Sequence, residues 1–229
     1  TDSNIEDKED GYKIRGEAKP GSDIKFVIEV KNLYTEVEDI EIEGIAITIT
    51  IEGIDDGDDL DEEDDVKDLK PGKGDDVTIE FEIPLEVEED TYDVLIEIEG
   101  EDDTGITHRI EKKLELEVEK EKHDIQIIKA NLNPSTISCK RSFTLNTEII
   151  NLGSEDEEEV VLEILNNDLE INANQRNIEL DEGIEDSKFS KSWRFDVSNE
   201  LSPGVYPISI NSYYNDNELS DNEIVELII

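Results

Sequence analysis

The sequence predicts an all-β chain folded as two tandem antiparallel β-sandwiches. Three observations predict it. Apolar and polar residues alternate at period two through many short runs rich in Ile, Val, Phe and Tyr. Clusters of Gly, Pro, Asn and Asp separate the runs, and no helical period appears. The pattern also occurs twice. Phe81 to Tyr92 reads F-E-I-P-L-E-V-E-E-D-T-Y, and Phe195 to Tyr206 reads F-D-V-S-N-E-L-S-P-G-V-Y. In both, a strand ends at Phe-x-apolar, a turn follows, and a Tyr opens the next strand.

In chain order, residues 1–11 read as a flexible acidic lead-in and residues 12–120 as the first sandwich. Tyr12 to Arg15 reads as a short edge strand, and Lys19-Pro20-Gly21-Ser22 as a turn. Ile24, Phe26, Ile28 and Val30 form one inward row, and Ile45, Ile47, Ile49 and Ile51 the next. Between Asp55 and Asp65 nine of eleven residues are acids, which reads as a solvated loop. Val77, Ile79, Phe81 and Ile83 then form an inward row, followed by Tyr92, Val94, Ile96 and Ile98. Asp102-Asp103-Thr104-Gly105 makes a hairpin turn, and Ile110, Leu114, Leu116 and Val118 close the domain.

A short charged linker at residues 121–124 leads to the second sandwich, residues 125–229. Ile125 and Ile127 begin it, and Asn133-Pro134-Ser135 turns the chain. Phe143, Leu145, Thr147 and Ile149 repeat the Ile24 to Val30 row, ending at Asn151 where the first copy has Asn32. Val160, Leu162 and Ile164 repeat the Ile45 row, and Phe189, Trp193, Phe195 and Val197 the Val77 row. Residues Asn166 to Gly183 read as irregular, anchored by Ile171 and Ile178. Tyr206, Ile208 and Ile210 repeat the Tyr92 row, Asn215-Asp216-Asn217 is a hairpin turn, and Val225, Leu227 and Ile229 close. The copies differ at their start. The first lacks a strand as apolar as Ile125 to Leu132, so its opening strand is weak, lies upstream, or comes from a neighbouring chain.

The chain carries 65 acidic and 21 basic residues, a net charge of −44. That field excludes nucleic acid as a partner, since no basic patch is present to displace counterions from phosphate. It also disfavours anionic membrane surfaces. No run of eighteen apolar residues exists, so this segment has no direct membrane insertion. Cys139 is the one cysteine and reads as a buried thiol.

Site candidates are few. No HExxH, no C-x-x-C and no G-x-S-x-G is present, and the carboxylates are too numerous for one pair to stand out as acid and base, so the chain reads as no enzyme. Asp55, Asp56, Asp58, Asp59 and Asp61 are the candidate divalent-cation ligands, calcium being the possible cofactor, although Leu60 stands where a regular calcium loop needs an oxygen. Glu155 to Glu159 is a shorter acidic turn. His108 and His123 stand apart from each other. Trp193 falls on an inward row and reads as core. Tyr213 and Tyr214, with Ile224, Val225, Leu227 and Ile229 of the last strand, form the candidate interface.

The repeated row closing on Asn32-Leu33 and Asn151-Leu152-Gly153, the acidic turn after each, and the Ser202-Pro203-Gly204 turn before Val205-Tyr206 resemble cell-adhesion-related immunoglobulin-like domains of archaeal and bacterial surface proteins. Pro203, Gly204 and Tyr206 match that family's turn, and Glu89, Asp90 and Tyr92 match in part. A Tyr at this corner also suits immunoglobulin-like sandwiches in general. The acidic wording is similar to archaeal surface-layer proteins. The resemblance implies a non-catalytic, extracellular structural protein of a prokaryotic, archaeal cell surface, self-associating as a surface-layer or filament subunit. One chain completing the sheet of another is the expected contact. The alternative is an adhesin or an accessory binding module of a larger secreted protein.

Overall fold

The computed structural model describes residues 5–8, 11–139, 141–183, 186–215 and 217–229. Residues 1–4 and 9–10 of the expected lead-in, and Asp216 of the Asn215–Asn217 turn, lie outside them. Among the described residues no helix occurs, and 66% of the chain is strand. The chain divides into two compact units, Thr1–Glu119 and Lys120–Ile229. Each is an immunoglobulin-like β-sandwich with its own core, antiparallel throughout its named strand pairs except that Gly11–Ala18 of the first unit runs parallel to Thr107–Val118.

The first unit holds β1 (Ile5–Lys8), β2 (Gly11–Ala18), β3 (Asp23–Lys31), β4 (Ile42–Asp55), β5 (Asp58–Val66), β6 (Gly74–Glu82), β7 (Thr91–Asp102) and β8 (Thr107–Val118). One sheet runs β1-β2-β8-β7-β4-β5, and β3 pairs with β6 to make the other. Alternation decides which side chains meet between them. Ile45, Ile47, Ile49 and Ile51 are all buried on β4, against Val77, Ile79 and Phe81 of β6 and Phe26 of β3. Each such burial stabilises by roughly 1.5–3 kcal/mol. Phe26 and Phe81 meet edge to face at 5.7 Å.

The second unit holds β9 (Ile125–Asn133), β10 (Ser142–Asn151), β11 (Glu157–Asn166), β12 (Ile171–Leu180), β13 (Lys188–Asp196), β14 (Val205–Tyr214) and β15 (Glu218–Ile228). Its sheets run β13-β10-β9 and β12-β11-β14-β15. Leu145, Leu162 and Ile208 are fully buried, Trp193 nearly so, and Phe195 and Tyr206 pack half-buried at the margin of the same core. The Trp193 indole N–H donates to the Thr147 hydroxyl at 2.9 Å, so its polar edge is satisfied inside.

Two devices recur. The Tyr92 hydroxyl donates to the Glu88 carbonyl at 3.0 Å, and the Tyr206 hydroxyl to the Ser202 carbonyl at 2.7 Å, each pinning the turn four residues back. The buried Asn32 amide donates to the carbonyls of Ile40 and Leu69 and accepts from the Tyr34 N–H. Asn151 does the same with Glu155, Leu180, Asp181 and the Gly153 N–H. The repeated Asn-Leu therefore marks a side chain that satisfies loop backbone away from water. Tyr92→Phe and Tyr206→Phe should each lower the stability of its own unit by about 0.5–1.5 kcal/mol in denaturant melts.

Several segments differ from expectation. Ile5–Lys8, inside the expected lead-in, pairs with β2 as a hairpin. Tyr12 to Arg15 belongs to an eight-residue strand that lies between β1 and β8, not at an edge. The acidic run is no loop: Asp56 and Gly57, both at positive φ, turn the chain into β5, which pairs with β4 along its length. The Asn166 to Gly183 stretch contains β12, anchored by buried Ile171 and Ile178 as expected. Glu157, taken as part of an acidic turn, opens β11 and is buried. Cys139 is exposed. In β1, β5 and β12, ladder hydrogen bonds to the strand adjacent in sequence impose extended backbone where side-chain alternation is weak.

Candidate functional site

The five candidate cation ligands sit around one hairpin tip. Asp55 ends β4, Asp56 is in the turn, and Asp58, Asp59 and Asp61 lie on β5. The Asp59 carboxylate accepts from the Gly53 N–H at 2.7 Å, and Asp61 from the Thr50 hydroxyl at 2.6 Å. All five side chains are exposed. Among the described residues, the carboxylates whose oxygens gather within 4.8 Å of one another are instead Glu17, Glu117 and Glu119, where β2 runs parallel to β8. There the hydrogen bond to Glu17, then burial, then the charges of Glu17, Glu117 and Glu89 hold the Glu119 carboxyl above its usual range. β5 has a different role in the fold. It is an edge strand, and Glu62 and Asp64 stand beside Ile49 and Ile47 on the ladder, both of them exposed. Charges on an edge strand discourage further strand pairing.

The two histidines, isolated in the sequence, each meet a buried carboxylate. His108 Nε2 lies 2.9 Å from Asp102 Oδ2 across the β7–β8 hairpin. Asp102 also accepts from the Thr104 hydroxyl and the N–H groups of Thr104 and Ile106. The Thr104 hydroxyl, then His108, then the Ile106 N–H hold the Asp102 carboxyl well below the usual carboxylate range. In the second unit His123 Nδ1 lies 2.6 Å from Glu157 Oε1, and its ring stacks on Tyr214 at 4.8 Å. Both pairs fasten loops. The pattern Asp-x5-His across an Asp-Thr-Gly turn is the signal that locates the first. The second joins residues 34 positions apart, and only folding reveals it.

The candidate interface residues are engaged within their own unit. Leu227 is fully buried, and Val225, Ile229 and Tyr214 pack against the core. β15 pairs with β14 from Val205↔Ile228 to Tyr214↔Glu218, and Ile229 exchanges backbone bonds with Gly204. The last strand is therefore not a free donor. Tyr213 donates to Glu163, and Ile224 remains exposed on the outer face.

Sequence reasoning did not find the cavity. A cleft of about 360 Å³ opens in the first unit where β3 ends. Val30, Leu33, Ile42, Ile98 and Ile110 line it, and Tyr34 meets His108 edge to face at its lip. Leu33 and Ile110, at 84% and 54% exposure, leave its apolar walls open to water. A concave, largely apolar site of this volume falls in the range of about 300–1,000 Å³ typical of ligand pockets.

No family model matches the chain, and no curated protein matches it. Among solved structures it is similar to red sea bream transglutaminase, at 10% identity and a TM-score of 0.35, over 93% of this chain and 30% of that one. It is also similar to the fibronectin(III)-like modules of Clostridium thermocellum CbhA, at 12% identity and a TM-score of 0.25, over 93% of this chain and 89% of that one.

Proposed function

We propose that this chain is a non-catalytic structural module of a prokaryotic, archaeal cell surface, a subunit of a surface layer or filament. The observation that carries the reading is the distribution of polar groups. Buried ones such as Asn32, Asn151, Asn166 and Thr147 hold loops and ladders, while acids coat the exposed strands. A surface of that kind suits salty or cation-rich surroundings outside the cell, where its own repulsion is screened. Donation of the C-terminal strand to a neighbour has no place in this reading, because β15 completes its own sheet. Subunits would meet through faces and loops.

The open cleft favours a second reading, an adhesin or accessory binding module. Negative-stain images of the purified chain in molar salt with millimolar calcium separate the two. Ordered sheets or fibres support the first; discrete single particles under all salt conditions leave the binding module.

A further inference from the structure

The cleft lies where the repeat lacks a strand. In the second unit β9 runs along β10, with Ile127 beside Ile149, Gln126 beside Ile150 and Ile125 beside Asn151. Ile125 and Ile127 are buried there. In the repeat, the counterparts of Ile149, Ile150 and Asn151 are Val30, Lys31 and Asn32, and all three line the cleft of the first unit. The far wall corresponds as well. Ser212 pairs with Asp221 in the second unit, and Ile98 pairs with Ile110 at the same register in the first. Ser212 and Asp221 bond the backbone of β9; the wall that replaces them is apolar.

The cause is a difference in how the two units begin. In the second unit the chain runs along β10, passes Asn133 and Pro134, and then bonds from Ser135 and Ile137 to Ile228 on the other sheet. Among the described residues the first unit shows the later half of that path, β2 parallel to β8. The segment ahead of it, β1, folds back on β2. Among the described residues, β3 thus has a strand on one side only, β6. An unpaired edge beside an apolar groove is the geometry that accepts an added strand.

We infer that this cleft accepts an extended segment of a different polypeptide, which pairs with β3 and lays β-branched side chains against Val30, Ile98 and Ile110. Charge specifies the segment further. In the second unit Lys129 of β9 stands beside Glu148. The counterpart of Glu148 is Glu29, which already faces Asp76 across the β3–β6 ladder. The occupant therefore carries a Lys or Arg two residues beyond its inner apolar residue. A second copy of this chain is the poorer occupant, because each copy brings a net charge of −44. The inference goes beyond the surface-layer reading: it concerns one chain and its ligand, and stands or falls whether or not a lattice forms.

The test uses the full chain and a fluorescent peptide with the sequence of residues 124–132, D-I-Q-I-I-K-A-N-L. Anisotropy should rise saturably on titration. Ile110→Asp and Leu33→Asp, both at exposed positions, should weaken binding about tenfold or more, while Ile224→Asp in the second unit changes nothing. A backbone methyl separates strand pairing from simple apolar contact. In the second unit the N–H of Ile127 points away from β10, to Asp221, so the amide of Gln126 faces the ladder. Methylation at the Gln126 position should abolish binding, and methylation at the Ile127 position should spare it. No binding, or equal binding of both methylated peptides, overturns the proposal. A dimer of the free chain that Ile110→Asp abolishes would place a second copy in the cleft and overturn the assignment to a different polypeptide.

Discussion

Replacing Phe81 by alanine should lower the unfolding free energy of the first unit by about 3–5 kcal/mol. Phe81 is nearly fully buried, stands beside Ile24 on the β3–β6 ladder, and meets Phe26 in a T-shaped contact. Only two strands form that sheet, so few neighbours can collapse into the space left behind. Its counterpart Phe195 is half-buried, tilted against Phe143 at 5.5 Å, and sits in a three-stranded sheet. Phe195→Ala should cost less than Phe81→Ala, although the two look equivalent in the sequence. Far-UV circular dichroism in urea follows both, and the fluorescence of Trp193, the one tryptophan, reports the second unit. Equal losses for the two variants would contradict this account of the first unit's thin sheet.

The thermal midpoint should rise steeply from low salt with chelator to molar sodium chloride. Seven of the nine residues of β5 are acids. Residues two apart on one face of a strand are separated by about 6.6 Å. That spacing is shorter than the screening length of about 10 Å at 0.1 M salt and longer than the roughly 3 Å at 1 M. Repulsion along β5 is therefore felt at ordinary ionic strength and quenched in molar salt. Because Asp55, Asp56, Asp58, Asp59 and Asp61 spread around a hairpin tip, and Asp59 and Asp61 already accept from the Gly53 N–H and the Thr50 hydroxyl, monovalent salt should suffice. A midpoint restored by millimolar calcium, and not by matched ionic strength of sodium chloride, would show coordination. Coincident midpoints in low and high salt would remove both explanations. Mild acid should act in the same direction at Glu119. Its folded carboxyl is raised above its unfolded value, so its contribution is present below the unfolded pKa and is lost as pH rises through the folded one. Asp102 acts oppositely: its carboxyl is depressed in the fold, and its contribution is lost as pH falls through the folded value.

How much of this was legible varies by element. Ile45, Ile47, Ile49 and Ile51 announce β4 and its buried face, because period two is the period of the pleat. The Phe-to-Tyr spacing announces both tyrosine corners. β5 escaped because Glu62 and Asp64 stand where its ladder meets Ile49 and Ile47, so no alternation is left to see; the Asp56-Gly57 pair was the one signal for its hairpin. β12 escaped for a related reason, with polar residues between its two isoleucine anchors.

The site divides the same way. The poor opening of the first copy was visible from composition. That the vacancy lies beside β3, walled by Ile98 and Ile110, depends on which strands β2 and β1 choose as partners. The sequence by itself determined the all-β class, the duplication, the inward rows and the acidic field, since these follow from side-chain period and charge along a single strand. Only the tertiary structure decided that the last strand is bound within its own sheet, that each histidine holds a buried carboxylate, and that the β3 edge lies open beside an apolar cleft. The physical reason is that a ladder bond joins backbones remote in the chain, and a backbone group carries no residue name to show which partner it takes.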